Sequence, residues 1–165
     1  FAWTLKGMGD ALEIGTFVQN IVGSSASASV LLPAILFIVA IFLAFSTGTS
    51  WGTFAILVPI AIAMFPGTDK LEMMIISVSA VLAGAVCGDP TVMSSAGAQS
   101  NHINHVTTQM QYAAVVAVVC FIGYIIAGVS QSWWIALGSS LVILLVVLTV
   151  MKRVFAAREK KSVAA

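Results

Sequence analysis

Four hydroxyls crowd into five positions of this chain, at Ser46, Thr47, Thr49 and Ser50, with Gly48 between them and Gly52 just beyond. Oxygen atoms of this kind suit a hard monovalent cation, and glycine lets freed backbone carbonyls turn inward. A second cluster follows at Asp89, Thr91, Ser94 and Ser95, where the carboxylate adds a full negative charge. Hydroxyls, carbonyls and one carboxylate together can hold a small cation. The same carboxylate can take a proton instead, so that cation and proton compete for one group. His102 and His105 lie three positions apart, share a helix face and can pass a proton along it. Polar packing at a membrane edge is the plainer role for that pair, and a resident metal is not expected, since no Cys or carboxylate stands close by. Hydroxyls in apolar helices also have a plain role, bonding back to the preceding turn. The clustering between glycines is what favours a functional break here.

These residues sit in an unusually apolar chain. Of its 165 residues 60% are hydrophobic and 8% charged, against roughly 25% charged in soluble domains. No charged side chain occurs from Ile14 to Thr68, and Asp89 alone from Met73 to Met151. A soluble enzyme with a solvated surface is excluded, as is disorder, and no catalytic residues are expected. An acid at bilayer depth is functional by default; a place at the membrane edge, about 18 residues after Leu71, is the plainer reading of Asp89. The composition is that of an all-α integral membrane protein.

A bilayer core about 30 Å thick requires roughly 20 helical residues to cross it. The apolar run from Val30 to Phe65 is too long for one crossing, and the Ser46–Thr53 stretch interrupts it near the middle. Each arm, Pro33 to Phe45 and Phe54 to Phe65, is short for a crossing of its own. A re-entrant helical hairpin over 30–66, with its tip at mid-membrane, fits those lengths; two short tilted spans are the alternative. Pro33 is expected to begin the first arm and Pro66-Gly67 to end the second.

Residues 71–106 read as one transmembrane helix broken near Asp89, because Pro90 removes a donor and disfavours a helical residue before it. Ala80, Gly84 and Gly88 recur every fourth position and make a face that another helix can approach closely. Two ordinary spans fill 112–151, joined by Ser130-Gln131-Ser132, with Trp133 and Trp134 suited to an interfacial belt. Residues 1–29 read as an amphipathic helix and a Gly/Ser/Ala linker. Cys87 and Cys120 are expected to be ordinary apolar-site thiols.

The basic residues Lys152, Arg153, Arg158, Lys160 and Lys161 crowd into the tail 152–165. By the positive-inside rule that tail is cytoplasmic, which places the Pro66–Lys70 loop outside. It is a topology signal and a contact for membrane lipids rather than a nucleic-acid patch. The chain opens on Phe1 without a visible signal peptide and reads as a piece of a longer protein.

Three motifs carry a family likeness. Phe45-Ser-Thr-Gly-Thr-Ser-Trp-Gly-Thr-Phe54, Ser94-Ser-Ala-Gly-Ala98 and Asn101-His-Ile-Asn-His-Val-Thr-Thr-Gln109 closely resemble the C-terminal half of NhaC-type sodium/proton antiporters. Phe1-Ala-Trp3 and Leu12 to Thr16 are similar to the approach to that region, so the likeness runs from Phe1 to about Tyr112. The resemblance implies an ion-transporter-superfamily fold, of which this chain is one inverted-repeat half with a re-entrant hairpin, a broken transmembrane helix and two further spans. It implies sodium/proton antiport across the bacterial cytoplasmic membrane, with Na+ and H+ as cargo and no cofactor. Organic-anion exchange within the superfamily, or a non-transporting scaffold, are the alternatives. The family pattern also carries a longer polar segment where this chain has only Gly88-Asp89-Pro90-Thr91, and Asp89 matches either of two aspartates in it. Half a transporter implies a partner, whether an N-terminal repeat, a second subunit or a homodimer.

Overall fold

A computed structural model of the chain describes residues 2–14, 16–17, 20, 26–65, 70–89 and 92–163. The expected stop at Pro66-Gly67, Thr91, and most of the expected Gly/Ser/Ala linker lie outside them. The regular structure is helical throughout: α1 (Ala2–Ala11), α2 (Ala26–Thr47), α3 (Ser50–Ala63), α4 (Leu71–Gly88), α5 (Val92–Gly97), α6 (His102–Ser130) and α7 (Trp133–Val163). Among the described residues, four stretches are long and apolar enough to cross a membrane: Val30–Thr47, Leu71–Gly88, His102–Ser130 and Trp133–Arg153. The chain is an all-α, multi-pass membrane protein.

α2 and α3 form a helical hairpin around the Ser46–Thr53 stretch, but its arms are unequal, at 22 and 14 residues. Pro33 does not begin the first arm. It lies inside α2, buried, because the helix starts upstream at Ala26 and continues past the one hydrogen bond that proline removes. Such a loss is tolerated in membrane helices where neighbours pack around it.

The core is the pairing of α2 with α4, the most extensive in the molecule. It is built on small residues: Ala40, Ala44, Ala80 and Ala85 are fully buried, beside the ring of Phe37. Ala80, Gly84 and Gly88 all face inward. A Cβ on Gly84 would overlap the Phe37 carbonyl and come within 2.9 Å of the Ala40 methyl, and one on Gly88 would overlap the Ile41 carbonyl. In lipid there is no hydrophobic force between helices, so this close approach, with its dispersion contacts, is what holds the pair. α3 packs on α4, α2 and α1, while α6 lies along α2 and α4. At Gly128, α6 meets the backbone of Val30.

Two boundaries differ from expectation. His102–Val106 does not end the broken helix; it opens α6, which runs unbroken for 29 residues. Asn101 caps that helix, its side-chain oxygen accepting from the amides of Ile103 and Asn104. Thr107 and Thr108 donate to the carbonyls of Ile103 and Asn104, so their hydroxyls are satisfied without breaking the helix. α7 likewise does not stop at Met151 but carries the basic tail on as helix to Val163. α1 ends at Ala11, Glu13 follows in the left-handed region at φ 49°, and helical residues recur at 14, 16–17 and 20.

Candidate functional site

The hairpin corner is built by two residues with opposite backbone habits. Gly48 adopts φ 67°, which a side chain would oppose, and its amide donates to the Ala44 carbonyl at 2.9 Å, closing α2. Thr49 is extended and starts α3: its hydroxyl accepts from the Gly52 amide at 3.5 Å, and its carbonyl accepts from the buried Thr53 hydroxyl at 3.1 Å. Ser46 and Thr47 are exposed and donate back to the Leu43 carbonyl, at 3.3 and 2.8 Å. Their protons are therefore engaged within α2, and what they can offer a cation is oxygen lone pairs. Removing the cap with Thr49→Ala is expected to cost about 1 kcal/mol of stability. Thermal unfolding in detergent should show a small downward shift that Thr49→Ser restores.

Asp89 stands at the other break. It caps α4 in an extended conformation, φ −70° and ψ 117°, so the last carbonyls of α4 have no following helical turn to accept from. Its carboxylate reaches the corner, where Oδ2 accepts from the Ser50 amide at 3.3 Å. The two interruptions, 39 positions apart in sequence, thus meet. The electrostatics are arranged around that contact. The carboxylate rests on the positive N-terminal end of α3, while α2 and α4 present their negative C-terminal ends nearby. One helix end stabilises the carboxylate and two favour a cation beside it.

A cleft of about 200 Å³ opens next to Asp89 between α2, α4 and α6. Ile41 and Phe45 line it from α2, Gly88 and Asp89 from the end of α4, and Gln109 and Ala113 from α6. The apolar window of α2 covers 18 residues, or about 27 Å at 1.5 Å per residue, close to the roughly 30 Å of a hydrocarbon core. α2 alone is thus long enough to cross, unlike the short first arm expected of the hairpin.

The second cluster divides. Thr91 is outside the described residues, and of Ser94 only the backbone, within α5, is described. Ser95 is 2% exposed, and its hydroxyl lies 2.9 Å from Nδ1 of His102. Its carbonyl accepts from the Ser100 amide at 3.0 Å. Ser95 thus ties α5 to the first turn of α6. His105 follows one turn along, half-buried. Two residues near the site were not singled out from sequence: Thr53, buried behind the corner, and Gln109 in the cleft. The spacing of Gln109 with Val106, Met110 and Ala113 marks one helix face, but nothing in sequence says that this face looks at Asp89.

A chain of this architecture, with paired helix breaks meeting at a carboxylate, has the build of an ion-transporting membrane protein. The chain belongs to the Na+/H+ antiporter family, whose model matches residues 1–129. It is 42% identical over 160 residues to an uncharacterized protein of Haemophilus influenzae (strain ATCC 51907 / DSM 11121 / KW20 / Rd), a match that takes in 93% of this chain and 30% of that protein. The chain thus spans less than a third of the length of that relative. No solved structure matches it.

Proposed function

We propose that this chain is the C-terminal part of a sodium/proton antiporter and contributes the cation-binding carboxylate. The observation that carries the reading is the hydrogen bond from the Ser50 amide to Asp89, which joins the two helix breaks into one site. The carboxylate takes either a sodium ion or a proton. Because the two compete for the same oxygens, each is released as the other binds, and a gradient of one drives the other. The oxygens of Ser46, Thr47, Thr49 and Ser50 and the end carbonyls of α2 and α4 replace part of the ion's water. Ser95 sets the corner that follows the break, and His102 and His105 pass protons toward it.

The positive-inside rule places the Lys152–Arg153 end of α7 in the cytoplasm. α6 runs antiparallel to α7, so His102 and the neighbouring Asp89 lie on the cytoplasmic side of the bacterial membrane. Elements supplied by the rest of a longer protein, a second subunit or a second copy complete the site from the facing side, as expected for binding between repeats. Everted vesicles from cells carrying the full transporter give the test. After respiration acidifies their interior, added sodium should discharge the proton gradient, whereas added choline should not. Vesicles that ignore sodium at every pH tried would exclude sodium/proton exchange.

A further inference from the structure

We infer that Thr53 is a positioning residue for the ion site, acting on Asp89 through the peptide between Thr49 and Ser50, an inference that rests on the antiport reading above. Thr53 is completely buried, on the face of α3 that it shares with Leu57 and Ala61. A valine has nearly the same shape, so a hydroxyl at that depth calls for a reason. It donates to the Thr49 carbonyl at 3.1 Å. As the N-cap of α3, Thr49 also gives that carbonyl to the first backbone bond of the helix. A carbonyl oxygen has two lone pairs, so both are taken. The Thr47 hydroxyl, 3.3 Å from the same oxygen, sits closer to the Leu43 carbonyl, at 2.8 Å.

The two ends of one peptide then do different work. A trans peptide is planar, and its C=O and N–H point in opposite directions. Here the carbonyl end is held by Thr53, while the Ser50 N–H at the other end donates to Oδ2 of Asp89 at 3.3 Å. The peptide cannot turn its amide away from the carboxylate without pulling its carbonyl off the buried hydroxyl. Hydrogen bonds joined in line also polarise one another, so the Thr53 O–H makes the Ser50 N–H a better donor. With its lone pairs engaged, the Thr49 carbonyl is withheld from the cation, which is left to the carboxylate and the other oxygens of the corner. Thr53 therefore fixes where the charge of Asp89 stands, through the backbone rather than as a ligand.

The test uses sodium titrations of exchange in everted vesicles carrying the full transporter, with rates normalised to the membrane level of each variant. Thr53→Val, which keeps the shape and removes the hydroxyl, should raise the sodium KM about fivefold, the loss of one ordinary hydrogen bond. Its maximal rate should change less than its KM. Thr53→Ser, which keeps the hydroxyl and removes the methyl group, should restore a KM near that of the parent. Should the Val variant fail to reach the membrane, Thr53→Ala carries the same expectation against Thr53→Ser. A variant without the hydroxyl that keeps the parent KM, whatever its membrane level, overturns the inference in favour of packing. A Ser variant with its KM raised as far as that of the Val variant does the same. Asp89→Asn run alongside separates the failures. If it is inactive while Thr53→Val keeps the parent KM, only the role of Thr53 is lost; if it exchanges normally, the antiport reading of the site goes with it.

Discussion

Asp89→Asn is expected to reduce sodium-dependent proton movement to the background of vesicles lacking the transporter. The change keeps the shape of the side chain, and the amide oxygen can still accept from the Ser50 N–H that lies 3.3 Å from Oδ2. The corner should therefore stay closed, and the protein should reach the membrane at its usual level. What disappears is the charge that neutralises sodium and the group that carries the proton. With one substitution removing both cargoes, no partial activity is expected, even at saturating sodium. Asp89→Glu retains the chemistry one methylene further out and should recover a fraction of the rate with a raised sodium KM. Full exchange by the Asn variant would take Asp89 out of the mechanism.

Gly84→Leu is expected to have the largest effect on stability. Its Cβ would overlap the Phe37 carbonyl and crowd Ala40, neither of which can swing aside. α2 and α4 would have to separate along their whole contact, at a cost of about 3 kcal/mol or more. Melting in detergent should fall clearly, and membrane yield with it. Gly84→Ala should fall between this variant and the parent. Because Gly88 and Asp89 continue the same helix, exchange should be lost by any Leu-variant protein that survives. A Leu variant as stable as the parent would mean that the small-residue face does not set the helix spacing.

Much of this architecture was legible in the chain. Apolar runs announced the spans, the Ser46–Thr53 stretch the corner, and the residues around Asp89 the end of α4. The small-residue face at Ala80, Gly84 and Gly88 also followed from spacing alone. What was misread were places where a local signal met a stronger context. Pro33 looked like a helix start, yet a proline inside a membrane helix is tolerated where neighbouring helices pack around it. The polar run through Thr107 and Thr108 looked like a gap between helices, yet both hydroxyls bond within α6. In the site, residue types announced oxygen ligands, but the directions of the hydroxyls are a matter of side-chain rotation. Ser46 and Thr47 turn back on Leu43, and Ser95 turns to His102.

α7 is unlike the other spans: none of its 21-residue apolar window is buried within the chain, and its substantial contact is with α6 alone. That open face is available to acyl chains or to the rest of a longer protein. A change of tilt there reaches α6 along the side marked by Gly123 and Ser140. α7 can therefore adapt to what surrounds it at one seam, while the close-packed α2–α4 pair that carries Asp89 keeps its spacing.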